Sequence, residues 1–318
     1  NIPFKLPKLS RGYVNDHNQE AKAVWDSFHA GKPIRPPVGL GTNTHFFIFN
    51  EFLNPGEVIT FDHYMTKSKI MLDFSLQAKV WRSFYIAPYC DDPIGLPDEF
   101  VIRVDLQNIE EAAYFGAPVK FIPHQVPDTV PILEGKNKKN FYHWEFPDPF
   151  RAGWYSISTT IYHEMLEYLS QNPTFLDRPV RIEPYGYWTT GIFTLAVALR
   201  GSELLVDLYE DPEYVHDLLQ YLTEATIQRV KAYHQFFNLP FPGQDLFLAD
   251  DAIQMISTKM LKQFLIPIYQ KYKAAVITSE HLKMHLCGDA SRHFRTLKDE
   301  LGVNQFETGF PIDFPNAA

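Results

Sequence analysis

Residues 281–289, HLKMHLCGD, decide how the chain is read. In a strand, alternate side chains share a face. Leu282, Met284 and Leu286 then line one apolar face, fit to pack under helices. Lys283, His285 and Cys287 line the other. Gly288 and Asp289 close the run, so His285 and Cys287 fall at the C-terminal end of a strand. The stretch 302–310, GVNQFETGF, repeats the arrangement. There Val303, Gln305 and Glu307 share a face, with Glu307 at the end. Upstream, QDLFLADDAIQM (244–255) reads as a strand that ends in Asp250 and Asp251.

Helical patterns separate these strands, over 191–208, 212–237, 258–275 and 290–301. A further strand, PVRIEPYGYW (179–188), leads into a loop carrying Tyr185, Tyr187 and Trp188. Strands alternating with helices mean βαβ units and a parallel sheet. The fold expected is α/β, a (β/α)8 TIM barrel over residues 1–318. Its N-terminal helical extension, 1–34, contains an amphipathic helix over 16–30 that Gly31 and Pro33 end. Other expected elements are a strand and loop over 36–50, helix over 62–85, a strand at 99–105 and helix over 155–171. The Pro-rich stretch 123–153 is expected to be irregular. The sequence opens without Met and stops at FPIDFPNAA, just after a strand and its loop, so the last βα unit is expected to be cut short.

Composition narrows the function. A hydrophobic content of 45% over 318 residues supports a large core. The net charge of −9 argues against a nucleic-acid binder, which would carry a basic patch or stripe. No run of about 18 apolar residues suggests a membrane span, and the N-terminal stretch lacks the apolar segment of a signal peptide. Two distant cysteines, Cys90 and Cys287, do not make a disulfide framework. A soluble, cytoplasmic protein with a small-molecule substrate is the expectation.

Three consecutive strand ends thus present Asp250-Asp251, His285-x-Cys287 and Glu307. Imidazole, thiolate and carboxylate are Zn²⁺ ligands, and catalytic zinc keeps one position open. Barrel enzymes place their active sites at this end. Plainer readings stand beside this one. A Cys in an apolar strand is often a small buried hydrophobe. Asp251 could cap the following turn. Tyr185, Tyr187 and Trp188 could be ordinary packing rather than a substrate pocket.

DLFLADDAIQMISTKMLKQFLIPIYQKY, LKMHLCGDASRHFRTLKDELGVNQFETGFPID and LAVALRGSELLVDLYEDPEYVHDLL together resemble the uroporphyrinogen decarboxylase superfamily. The resemblance covers roughly 180–318, and is weaker before that, where AVWDSFHAGKPIRPPVGLG is still similar. It implies a (β/α)8 barrel and one of two chemistries. The decarboxylases carry an Arg-rich RQAGRY signature, and this sequence has none. The methyltransferase branch matches at His285 and Cys287, and some of its members add a Glu at the position of Glu307. This branch implies Zn²⁺ held by His285, Cys287 and Glu307, with Asp250 or Asp251 supporting a ligand. Tyr185, Tyr187 and Trp188 would shape the substrate pocket. The methyl group would come from methylcobalamin on a partner corrinoid protein and pass to a thiol, or the chain would serve a related demethylation system. The branch also implies a later Cys ligand, yet no Cys follows Cys287 here. Members occur as monomers and homodimers. Two alternatives remain: a metal-free carboxy-lyase using Arg103, Arg181 or Lys283 on substrate carboxylates, and a barrel that binds a small molecule without catalysis.

Overall fold

The computed structural model describes residues 2–312. The stretch 313–318, where the shortened last unit was expected to end, lies outside the described residues. In chain order the elements begin with α1 (Arg11–His29), α2 (Thr44–Ile48), α3 (Phe61–Thr66), α4 (Ser68–Tyr85) and β1 (Phe100–Ile102). Next come α5 (Glu110–Tyr114), β2 (Val119–Lys120), β3 (Asp128–Thr129), α6 (Gly153–Gln171), β4 (Thr174–Phe175) and β5 (Arg178–Ile182). The chain continues through α7 (Ile192–Arg200), α8 (Glu203–Glu210), α9 (Pro212–Phe236), β6 (Gly243–Ala249), α10 (Thr258–Met260) and α11 (Ile266–Val276). It ends with β7 (Ile277–Leu286), α12 (Phe294–Thr296) and β8 (Gln305–Thr308). The fold is α/β and rich in helix. No described helix is long and apolar enough to cross a membrane.

Two compact units divide the chain. The first comprises Asn1–Asp105, Phe121–Val126 and Ser158–Glu183. In it β1 runs parallel to β5, pairing Phe100 with Val180 and Ile102 with Ile182, and β4 lies antiparallel on the other side of β5. Helix α1 starts at Arg11, earlier than the sequence suggests, because the Ser10 hydroxyl accepts from the Tyr13 N–H and caps it. The stretch 36–50 forms no strand. Pro36 and Pro37 lack the N–H groups a ladder needs, and the Asn43 side chain accepts from the Phe46 N–H to open α2 instead.

The second unit comprises Leu106–Lys120, Pro127–Ile157 and Pro184–Ala318. Its centre is the parallel sheet β6-β7-β8. Leu282, Met284 and Leu286 are wholly buried, as the alternation of HLKMHL requires. Each such side chain contributes about 1.5–3 kcal/mol by leaving water. Thr189 bridges Leu248 in parallel fashion, so the segment after β5 lies along β6. Across the sheet, Ala249 pairs with His285 and His285 with Glu307, which sets the strand ends side by side. Among the described residues the strands form these separate sheets and do not close into a ring.

One helix of this unit departs from regular winding for a visible reason. Residues 258–276 are helical throughout, but Leu261–Leu265 widen into a π-turn. Pro267 follows directly. Its ring would crowd the carbonyl of Gln263 and it offers no N–H, and a widened turn relieves both problems.

Candidate metal centre

The ends of β6, β7 and β8 bring four of the expected side chains together. His285 Nε2 lies 3.1 Å from Cys287 Sγ and 3.6 Å from Asp251 Oδ1. The Cys287 N–H donates to Asp251 Oδ1 at 2.7 Å. On the other edge of the ring, His285 Nδ1 lies 3.4 Å from Glu307 Oε2. The candidate ligand atoms of Asp251, His285 and Cys287 all fall within 4.8 Å of one another. Asp251 therefore does not cap the turn that follows it. It reaches across to the next strand end.

The backbone at this point is tight. A Cβ on Gly309 would stand 2.4 Å from the Gly288 nitrogen and 3.1 Å from Cys287 Cα. The Gly309 N–H donates to the Leu286 carbonyl at 2.7 Å. Glycine at 309 thus lets the ends of β7 and β8 close on each other beside the thiol. The Cys287 thiol is pushed up to about 11, first by partial burial and then by the Asp251 and Glu307 carboxylates.

Asp250 behaves differently from its neighbour. It is fully buried. One oxygen accepts from the Phe193 N–H at 2.9 Å and the Tyr269 hydroxyl at 2.7 Å. The other accepts from the Thr194 N–H at 2.8 Å and the Thr194 hydroxyl at 2.7 Å. Burial pushes its carboxyl up to about 6, against the pull of these four donors. Asp250 thus caps the start of α7 from the end of β6 and ties α11 to both. All its oxygen lone pairs are occupied by protein.

Two residues that the sequence reading passed over clamp the loops around the centre. Arg292 donates to the carbonyls of Gln254, Ile256 and Asp289. His293, wholly buried, donates from Nε2 to the Ile253 carbonyl at 3.0 Å, while its Nδ1 lies 3.2 Å from the Thr258 hydroxyl. The loop after β6, which carries Asp251, is thereby latched to the loop after β7. The signal was present as an adjacent Arg-His pair just past the Cys287 turn.

Burial drives His293 down to about 4 from its ordinary 6.5. Between those values the unfolded chain binds more protons than the folded one. The contribution of His293 to stability therefore falls as pH drops from 6.5 towards 4, and is level above 7. The expected loss from this one group is about 3 kcal/mol. Urea unfolding at pH 7 and pH 4 measures it: wild type should lose about that much more than His293→Gln over the interval. Equal losses would show that His293 is not the group responsible.

The expected pocket residues divide. Tyr185 is buried, with its ring 5.3 Å from Tyr233 and 5.4 Å from Phe237, and is part of the core. Tyr187 and Trp188 are half-buried, edge to face at 5.0 Å. Their segment is held from beneath by a buried ion pair absent from the sequence reading. Arg229 of α9 bonds to Glu111 of α5, and donates to the carbonyls of Gly186 at 2.5 Å and Trp188 at 3.0 Å. The other Glu111 oxygen accepts from the Thr189 hydroxyl at 3.1 Å and the Thr190 N–H at 2.6 Å. Arg229 was legible in one respect, since it falls on the buried stripe of α9 with Leu222, Ala225 and Tyr233.

Residues 98–317 match the family model of uroporphyrinogen decarboxylase (URO-D). The chain belongs to the uroporphyrinogen decarboxylase family. The whole candidate centre lies inside the matched residues, as do Asp250, Arg229 and Glu111. Among solved structures, this URO-D family chain is similar to a methyltransferase from Methanosarcina mazei. The two share 14% identity with a TM-score of 0.56, over 88% of this chain and 73% of that one. At that identity the likeness is one of fold. No curated protein matches the chain.

Proposed function

We propose that this chain is a zinc-dependent methyltransferase on a (β/α)8 barrel. It would move a methyl group from a methyl-corrinoid, carried by a separate partner protein, to a small thiol. The observation that carries the reading is the convergence of an imidazole, a thiol and a carboxylate at adjacent parallel strand ends in a URO-D family chain. This donor set suits zinc, and His285 and Cys287 would hold it. A bound Zn²⁺ would supply Lewis acidity, keeping an acceptor thiol as the nucleophilic thiolate near neutral pH. The chain's own residues do the rest. The latch of Arg292 and His293 holds the Asp251 loop against the Cys287 loop. Asp250 fixes the end of β6, and Arg229 and Glu111 fix the segment that presents Tyr187 and Trp188 to a substrate.

Metal content tests the reading. Protein purified without chelator should carry about one zinc per chain. Cys287→Ser should lose that zinc and the transfer of methyl from methylcobalamin to a thiol, with an unchanged circular dichroism spectrum. Full zinc in Cys287→Ser would sink the assignment.

A second reading, a metal-free carboxy-lyase, draws on Lys283. It stands exposed on the same strand face as His285. Arg103 and Arg181, the other cations considered, are paired with Glu183 at 3.6 Å and Glu99 at 3.0 Å. A protein that takes up no zinc from excess ion would favour this chemistry.

A further inference from the structure

His285 is approached by protein groups on both edges of its ring, and the two edges differ in kind. The Nε2 edge faces Cys287 Sγ at 3.1 Å and Asp251 Oδ1 at 3.6 Å. The Nδ1 edge faces Glu307 Oε2 at 3.4 Å. The two nitrogens of an imidazole point apart, and an ion bound at one leaves the other to a hydrogen-bond partner. An ion shared with Cys287 belongs at Nε2. The carboxylate on that edge is Asp251, not Glu307.

Distances agree with this assignment. Tetrahedral zinc with bonds of about 2.0–2.3 Å separates its ligand atoms by roughly 3.3–3.6 Å. The Nε2-to-oxygen contact of 3.6 Å matches such an edge, and the Nε2-to-sulfur contact of 3.1 Å is somewhat shorter. All three atoms lie within 4.8 Å of one another, so a small adjustment would bring them around one ion. Asp251 is also held for the purpose. The Cys287 N–H fixes its Oδ1, and Arg292 and His293 fix the turn on which it stands. Glu307 is two-thirds exposed, at the end of β8 and directly across from His285 in register.

We infer that Asp251 is the third protein ligand of the metal and that Glu307 is a positioning residue. The Glu307 carboxylate stands 3.4 Å from His285 Nδ1, near enough to accept its N–H once the ring is held by an ion, which would fix the tautomer with a free lone pair on Nε2. This inference rests on the zinc reading above and reassigns the carboxylates within it. The ligands become one neutral imidazole and two anions, which balance a divalent ion and leave a fourth position for the substrate thiolate.

The test is zinc affinity by competition with a chromophoric chelator, together with the visible spectrum of the cobalt-substituted protein. Wild type, Asp251→Ala, Asp251→Asn, Glu307→Ala and Glu307→Gln are compared, with folding checked by circular dichroism. Asp251→Ala should weaken zinc binding by more than about 100-fold and change the cobalt spectrum, because a ligand is gone. Asp251→Asn keeps an acceptor for the Cys287 N–H, so it separates ligation from loop folding, and it should also weaken zinc binding. Glu307→Gln still accepts from Nδ1 and should keep affinity within about 10-fold with the same spectrum. Glu307→Ala should lose about 10–100-fold, as removal of an outer hydrogen-bond partner does. Zinc retained by both Asp251 variants but lost by Glu307→Gln would overturn the reassignment while leaving the zinc reading intact. A wild-type protein that binds neither zinc nor cobalt would overturn both.

Discussion

Arg229→Met is expected to lower stability by about 3–5 kcal/mol, the usual consequence of breaking one side of a buried ion pair. Arg229 and Glu111 are each nearly inaccessible to water. Removing the guanidinium strands the Glu111 carboxylate in the core and leaves the Gly186 and Trp188 carbonyls without their donor. The Arg229 cation also sits 5.0 Å from the centre of the Tyr155 ring, so that contact goes too. For a chain of this length the loss corresponds to a fall in melting temperature of roughly 6 °C. Thermal unfolding of the variant measures it. The double variant Arg229→Met/Glu111→Gln should recover part of the loss, since it no longer buries a lone charge. A double variant worse than the sum of its singles would contradict the pairing. The effect should extend to the segment from Gly186 to Thr190, which carries Tyr187 and Trp188 and loses the donors that hold its carbonyls.

Why was so much of β7 legible and so little of its surroundings? Period-two alternation in HLKMHL is a strong constraint, because a slip of one residue would expose three apolar side chains. It fixed the strand, its direction and the face that His285 and Cys287 share. Alternation does not say which edge of an imidazole meets which carboxylate. That depends on the loop after β6 folding back, so that Asp251 reaches the Cys287 N–H while Glu307 approaches from β8. The sequence reading thus set His285, Cys287, Asp251 and Glu307 at neighbouring strand ends, where the structure also has them, but it could not say that Asp251 meets the Nε2 edge of the ring and Glu307 the Nδ1 edge. Arg229 and Glu111 escaped for a related reason. They stand far apart in sequence, and a charged residue on an amphipathic helix reads as solvated unless its partner is known. Residues 36–50 misled in the opposite way. Their apolar content suggested a strand, but local chemistry at Pro36, Pro37 and Asn43 opposes a ladder and opens a helix.

Asp250→Ala is the sharpest way to separate support from chemistry at this end of the sheet. The substitution removes the partner of four donors at once: the Phe193 and Thr194 N–H groups and the hydroxyls of Thr194 and Tyr269. A lost helix cap alone costs about 1 kcal/mol, and each buried donor left without a partner about 1–3 kcal/mol. The Ala252 N–H keeps its acceptor, the Thr194 hydroxyl, and relaxation around the freed donors keeps the total below the sum of the separate costs. The net expectation is a loss of about 3–5 kcal/mol, read by urea unfolding near neutral pH. Asp250→Asn keeps one oxygen, turns an NH₂ towards two of the donors, and should fall between Ala and wild type. Zinc binding at low temperature, where the variants remain folded, should follow the folded fraction and show no separate defect, since Asp250 has no free lone pair for an ion. An Asp250→Asn protein as stable as wild type but unable to bind metal would reverse this. It would place the buried carboxylate in the chemistry and leave the start of α7 to be held by something else.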